Sequence, residues 1–136
     1  MPTLTREQMI KELSECNNKI EKITGTRPIL FRAPYGDYDN TMLDTVKSIG
    51  MYTIQWDVDS LDWKDYTADA IFSRVTTRVQ PGSIVLFHNA AKNTPEALPK
   101  IIEKLQKDGY NLVPISKLIY KDNYKIDHSG KQIKLN

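Results

Sequence analysis

The stretch RPILFRAPYGDYDNTMLDTVKSIGMYTIQW, residues 27–56, decides the fold class. It begins with the short apolar run RPILFR and passes through turn-forming residues into an amphipathic segment from about Asn40. After Gly50 it returns to a second apolar run, MYTIQW. The two apolar runs predict strands, and the segment between them predicts a helix. Strands joined by a helix pair in parallel, so the sequence predicts an α/β fold.

Residues 5–25 predict an amphipathic helix ahead of this unit. Thr5 and Gln8 have the spacing of a capping box, and Gly25 is suited to end the helix. The chain has a single cysteine, so no internal disulfide is expected, and its place on the apolar face predicts a small buried thiol. The residues on that face are Met9, Leu13, Cys16, Ile20 and Ile23.

The same alternation of strand and helix continues after residue 56. Residues 121–136 are expected to form a polar tail. The other predicted elements are a helix from Thr67, a strand over 83–88, a helix over 94–109, a strand over 111–115 and a short helical segment over 116–120.

About four strand–helix units fit in this chain, whereas a closed barrel of eight units takes roughly 250 residues. We therefore expect a partial (β/α) barrel, with about four parallel strand–helix units of a deformed TIM-like barrel. Its open sheet edge would need a cover, either a missing N-terminal half, a second chain or a self-associated copy. A flavodoxin-like sheet is the alternative, but such folds begin with a strand and this sequence begins with a helix.

Charge and hydropathy exclude several classes of partner. The 19 basic and 17 acidic residues give a net charge of +2, which is too small and too scattered to predict nucleic-acid binding. No apolar run approaches the roughly 18 residues of a membrane span. The first residues also lack the pattern of a signal peptide.

Long polar loops follow the predicted strands, at 32–39, 57–66 and 88–93, and short Gly/Pro turns precede the strands. In parallel barrels the functional groups stand at the carboxyl ends of strands. Arg32 offers a planar guanidinium that either holds a carboxylate or binds loop carbonyls in a purely structural role. The tight turn after it can aim the amide of Tyr35 into a cleft.

The second loop concentrates three aspartates, Asp57, Asp59 and Asp62, between Trp56 and Trp63. Such carboxylates bind a cation, position a histidine or cap a turn. The calcium-loop pattern is incomplete because the required glycine and glutamate do not follow. A tryptophan at a polar rim stacks on a sugar ring, although a core position is the commoner role for either tryptophan.

His88 ends the apolar strand SIVLFH. A structural, hydrogen-bonded histidine is one reading. The other is a general acid, because parallel pairing would bring His88 to the same rim as Asp59, whose carboxylate would favour the protonated imidazole. His128 lies in the polar tail and is expected to be exposed.

Three motifs, FRAPYG at 31–36, DVDSLDW at 57–63 and IVLFH at 84–88, resemble those of the polysaccharide deacetylases, the NodB-homology group of carbohydrate esterase family four. The resemblance extends from about Thr5 to Tyr120. It implies that residues 1–120 are the C-terminal half of such a domain.

The resemblance implies catalytic roles for three residues. Arg32 would orient the catalytic carboxylate, and Asp59 would hold His88, the general acid. The implied substrate-binding residues are Tyr35 with an oxyanion-hole amide, Leu86 and Trp63 around the acetyl methyl, and Asp62.

The family hydrolyses acetyl groups with a divalent metal, usually zinc, held by an Asp-Asp motif and a His-x-x-x-His motif. This sequence has no Asp-Asp pair and no second histidine before His88, so the metal ligands and the catalytic base are absent together. We therefore expect the isolated chain to be inactive and to hold no metal.

The implied partner is a glycan containing N-acetylglucosamine. Peptidoglycan is favoured, chitin and acetylated xylan are alternatives, and the whole protein would act outside the cytoplasm or at the cell surface. A non-catalytic carbohydrate-binding or regulatory remnant of a deacetylase is the second reading of function.

Overall fold

A computed structural model describes residues 3–135. The described chain divides into two compact units. One contains the residues up to Gln55 together with those from Lys121 onward, and the other is Trp56–Tyr120. Both units combine helices with short strands, which confirms the α/β class.

The first unit contains the β-α-β arrangement that residues 27–56 predict. Its elements are helix α1 (Arg6–Thr24), strand β1 (Leu30–Phe31), helix α2 (Asn40–Ser48) and strand β2 (Tyr52–Thr53). Strands β1 and β2 pair in parallel, with Leu30 opposite Tyr52. The capping box of α1 is present, and Gly25 ends that helix in the left-handed conformation.

The second unit repeats the arrangement. Its elements are β3 (Val58–Asp59), α3 (Ala68–Thr76), β4 (Val85–Leu86), α4 (Thr94–Lys107) and α5 (Ile115–Leu118). Strands β3 and β4 are parallel, with Asp59 opposite Leu86. This register brings the residues that follow both strands to the same end of the ladder.

Each unit has its own hydrophobic core. In the first unit, α1 and α2 bury apolar side chains together with Ala33 and Met51. In the second, α3 and α4 pack against β3. The core side chains are Met9, Leu13, Met42 and Val46 in the first unit, and Val58, Ile71, Val75, Ala97, Ile101 and Leu105 in the second.

The prediction of a buried Cys16 is wrong, because that side chain is exposed. The buried stripe of α1 instead runs through Met9, Leu13 and Asn17, and Ile23 is 84% exposed. Asn17 is held in the core by its amide, which contacts Met51 Sδ at 3.1 Å. The stripe follows an i, i+4, i+8 spacing, one position away from Cys16.

The strand predicted over 111–115 is also absent from the described chain. Leu112 and Val113 are exposed, and Pro114 has no amide hydrogen to donate to a sheet, so α5 begins directly after it. The loop predicted over 57–66 contains strand β3.

The predicted polar tail forms a hairpin of two antiparallel strands, β5 (Tyr124–Ile126) and β6 (Gln132–Lys134). Its loop includes Gly130 with φ +83°, and the expected exposure of His128 is confirmed.

The domain boundary expected at residue 120 remains a prediction. No helix within residues 3–135 is long and apolar enough to cross a membrane.

Replacing Gly130 with alanine should destabilise the first unit, for two reasons. The left-handed backbone disfavours a side chain by about 1–2 kcal/mol. In addition, the new Cβ would stand 2.9 Å from Gln55 Cγ and 3.1 Å from Tyr38 Oη. Urea unfolding should therefore show a larger loss of unfolding free energy for Gly130→Ala than for a matched glycine variant.

Gly82→Ala is that matched control, because Gly82 has φ +90° and a Cβ there would meet no atom within 4 Å. Equal losses in the two variants would show that the hairpin loop does not pack on Gln55.

Candidate active site

A histidine–aspartate pair stands at the carboxyl ends of β3 and β4. Asp62 follows β3 in a 3₁₀ turn over Asp62–Lys64, and His88 follows β4. The ring Nδ1 of His88 lies 2.7 Å from Asp62 Oδ1. Asp62 is completely buried, while the His88 side chain is one-third exposed. One ring nitrogen of His88 is therefore engaged in the interior, and the ring still reaches the surface.

Asp62 stays ionised although it is buried. Burial alone raises the pKa of its carboxyl group, but hydrogen bonds from Thr94, from the amide and ring of His88 and from Ser60 outweigh it and lower the pKa below the ordinary value of 3.8. The Thr94 hydroxyl donates to Oδ2 at 2.6 Å, and the His88 amide donates to the same oxygen at 3.1 Å. Asp62 is thus a buried anion that hydrogen bonds hold in one orientation.

The prediction that Asp59 holds His88 is wrong in this geometry. Asp59 Oδ1 accepts the amide of Leu61 at 2.9 Å, which closes the turn after β3. Asp62 lies three residues after Asp59, at a buried position, and its carboxylate is the one that contacts His88. The expected substrate-binding role of Asp62 does not fit the burial of its side chain.

Asp57 has a structural role in the second unit. Its carboxylate accepts the hydroxyl of Ser83 at 2.6 Å and the amide of Ile84 at 2.7 Å, which fixes the approach to β4. The three aspartates of the loop therefore point to three different partners. Within residues 3–135 they do not form a cluster that could hold a metal ion.

Trp63 lies beside His88 at the surface. The two rings meet edge to face, with 6.4 Å between centroids, and Trp63 is 56% exposed. Leu86 is half-buried in β4, two residues before His88. The side chains of Trp63 and His88 are thus brought together, while the apolar slot of Trp63 and Leu86 remains a prediction.

Arg32 and Tyr35 belong to the first unit, directly after β1. Tyr35 lies in a short 3₁₀ turn, Pro34–Gly36, with φ 60°, and its side chain is fully exposed. The Gln55 side chain donates to the carbonyl of Gly36 at 2.8 Å and so supports this turn. The structure therefore holds Tyr35 in a left-handed conformation that non-glycine residues adopt rarely.

Strained backbone recurs in the loops that follow the strands. Besides Tyr35, the non-glycine residues Leu61, Asp65 and Ala90 have positive φ angles of 52°, 56° and 59°. Leu61 and Asp65 flank the 3₁₀ turn that begins at Asp62, and Ala90 is two residues after His88. Strain of this kind concentrates at functional sites, where surrounding structure maintains it.

Thr94 and Ser60 are parts of the site that the sequence motifs do not predict. Both contact Asp62, Thr94 from the first turn of α4 and Ser60 from inside the turn after β3. Thr94 carried a weak signal, because it stands at the beginning of a predicted helix close after a candidate catalytic histidine. Its role depends on how α4 packs, which residue patterns alone do not specify.

Asp62→Asn should reduce the unfolding free energy by about 2–4 kcal/mol at neutral pH, because the new amide group would face a donor, either Thr94 or His88. Asp59→Asn keeps the oxygen that caps the turn and should cost less than about 1 kcal/mol. Chemical denaturation of both variants measures the difference. A larger loss for Asp59→Asn would contradict the placement of His88 on Asp62.

The difference in unfolding free energy between wild type and Asp62→Asn should depend on pH. The lowered pKa of Asp62 contributes stability that is present above the ordinary carboxyl value and is lost as the pH falls through the pKa of the folded state. The gap between wild type and Asp62→Asn should therefore shrink below about pH 4. A gap that stays constant down to acid unfolding would show that Asp62 is not a stabilised anion.

The chain is similar in sequence to a known family of enzymes. The family model for polysaccharide deacetylase matches residues 1–54. The chain is 37% identical over 120 residues to the peptidoglycan-N-acetylmuramic acid deacetylase PdaC of Bacillus subtilis, a match covering 86% of this chain and 25% of that protein. It is 31% identical over 134 residues to the peptidoglycan-N-acetylglucosamine deacetylase PgdA of Listeria monocytogenes, covering 96% of this chain and 27% of that protein.

A solved structure is similar in fold as well. The crystal structure of a carbohydrate esterase family four pseudoenzyme from Bacillus anthracis superposes with a TM-score of 0.81 at 33% identity, covering 88% of this chain and 42% of that one. The chain thus spans about a quarter of the two curated relatives and less than half of this structure. It is a member of the polysaccharide deacetylase family and corresponds to part of the family's NodB-homology domain.

Proposed function

We propose that this chain contains the general acid of the active site in a metal-dependent deacetylase domain. The complete domain would remove N-acetyl groups from peptidoglycan. The observation that carries the proposal is the buried Asp62 carboxylate on Nδ1 of a partly exposed His88. The substrate class is supported by the relatives named as peptidoglycan deacetylases. A protein with this substrate would act outside the cytoplasm or at the cell surface.

His88 is the general acid in this proposal. Amide hydrolysis ends when the bond from carbon to nitrogen breaks, and the departing amine must then receive a proton. With Nδ1 held by Asp62, His88 donates that proton from Nε2. Asp62 remains ionised, stabilises the imidazolium and keeps the ring in one orientation, as a buried carboxylate does for histidine in other hydrolases.

The first unit would contribute Arg32 and Tyr35. We assign Arg32 to orienting a catalytic carboxylate and the amide of Tyr35 to binding the developing oxyanion, a role supported by its strained backbone. We also propose that both units are parts of a (β/α) barrel. It is supported by the two parallel β-α-β units.

The described residues do not fit a zinc site. Within residues 3–135 no three His, Cys, Asp or Glu side chains cluster as a metal would require. Of the two histidines, His88 is bound to Asp62 and His128 is exposed on the hairpin. We therefore assign neither the metal ligands nor the catalytic base of the complete domain to this chain.

A non-catalytic carbohydrate-binding protein is the second candidate. The 56% exposure of Trp63 beside His88 favours it, because an exposed aromatic ring offers a face for a sugar. The similarity to a structure described as a pseudoenzyme also supports this candidate.

The leading proposal is tested in a domain that joins this chain to the preceding half of a family deacetylase, such as that of PdaC. The joined domain should release acetate from peptidoglycan. His88→Ala should lower turnover by roughly 10²-fold or more, because a general acid contributes that much. His128→Ala is the matched control and should retain full activity, with equal metal content in all three proteins measured by elemental analysis.

Loss of metal from His88→Ala would show that His88 is a ligand and not the acid. Full activity of His88→Ala would also contradict the proposal. A joined domain without activity that binds glycan oligomers, with binding lost in Trp63→Ala, would favour the carbohydrate-binding candidate.

The isolated 136-residue chain should bind no stoichiometric zinc and release no acetate. Titration calorimetry with zinc chloride at neutral pH checks the first point. Binding of one equivalent with micromolar or tighter affinity would show that the chain contains ligands that the geometry does not bring together.

A further inference from the structure

The residues at the start of α4 form hydrogen bonds to the loop that contains Asp62. Thr94 Oγ1 donates to Asp62 Oδ2 at 2.6 Å, and the Asn93 side chain donates to the carbonyl of Tyr66 at 2.7 Å. Of these two contacts, only that of Thr94 reaches a completely buried charged group. Thr94 is therefore the residue through which α4 acts on the histidine–aspartate pair.

The two carboxylate oxygens of Asp62 accept their shortest hydrogen bonds from different residues. Oδ1 accepts from the ring of His88, Oδ2 accepts from Thr94, and the His88 amide lies within hydrogen-bond distance of both. Rotation of a carboxylate about its last bond is soft, so one hydrogen bond to one oxygen does not fix its plane. Thr94 supplies a second strong contact, on the oxygen that the ring does not use.

Helix α4 holds Thr94 firmly in place. Thr94 is the first residue of the helix, and Pro95 after it restricts the backbone of this turn. The next turns bury Ala97, Ile101 and Leu105 in the core of the second unit. The position of the hydroxyl is thus set by the packing of a 14-residue helix.

We infer that Thr94 is a positioning residue for His88, because its hydroxyl locks the plane of the Asp62 carboxylate and so keeps the Nδ1 hydrogen bond in place. The catalytic meaning of this role rests on the proposed function, whereas the contact itself does not. An ionised carboxylate only accepts hydrogen bonds, so Thr94 must donate and a hydroxyl is required at this position.

The test uses NMR spectroscopy on the 136-residue chain, with no substrate or metal. Nitrogen-15 shifts of the His88 ring give the tautomer, and the exchange rate of the Nδ1 proton reports how well Asp62 holds it. Three variants are compared with wild type. Thr94→Val removes the hydroxyl at nearly constant shape, Thr94→Ser keeps it, and Thr76→Val removes the hydroxyl of a half-buried threonine that bonds only the carbonyl of Phe72.

In wild type, Thr94→Ser and Thr76→Val we expect the Nδ1–H tautomer and a slowly exchanging proton. In Thr94→Val that proton should exchange about tenfold faster or more, since a hydrogen bond to a charged group is lost. The same spectrum in Thr94→Val as in wild type would overturn the inference. An equal change in Thr76→Val would also overturn it, because the effect would then be general loosening of the unit.

A second measurement needs no folded variant. The Thr94 hydroxyl proton of the wild-type chain should be observable and slow to exchange, as expected for a donor to a buried carboxylate. A rapidly exchanging hydroxyl would contradict the inference. Because neither measurement involves turnover, failure of the proposed deacetylase function would leave both results intact.

Discussion

The second unit is organised around one buried anion, the carboxylate of Asp62. Moving a carboxylate from water into a protein interior costs several kcal/mol unless hydrogen bonds replace its hydration. Here the replacement comes from Thr94, from the amide and ring of His88 and from Ser60. These residues come from the start of α4, the end of β4 and the turn after β3. The anion is therefore stabilised only when all three segments are in place.

This constraint links the fold to its chemistry. The parallel register of β3 and β4 brings the turn containing Asp62 and the end of β4 to one edge. The Asp62 carboxylate is buried, whereas the side chain of His88 is one-third exposed, as the proposed role of His88 as a proton donor requires. Strained residues in the same loops, Leu61 and Ala90, show that this arrangement is maintained against local backbone preference.

Sequence patterns predicted what depends on neighbours along the chain. The capping box at Thr5, the helix end at Gly25 and the parallel pairing of the strands predicted within 27–32 and 51–56 are confirmed. Features that depend on tertiary packing were predicted less well from sequence patterns. A helical period could not tell Cys16 from Asn17 at the edge of the buried stripe. The hairpin in residues 121–136 was also not predicted, because the polar residues Lys125, Gln132 and Lys134 interrupt its short apolar pattern.

The choice between Asp59 and Asp62 shows the same limit at the site. Strand pairing correctly placed an aspartate near His88, but it could not foresee that Asp59 would close a turn and direct Asp62 inward. The most direct test of the central claim is the titration of Asp62 followed by carbon-13 NMR of its carboxyl group. A pKa below the ordinary value, with a simultaneous response at the ring of His88, is the result expected. A pKa at or above the ordinary value, or a titration that leaves His88 unchanged, would contradict the account.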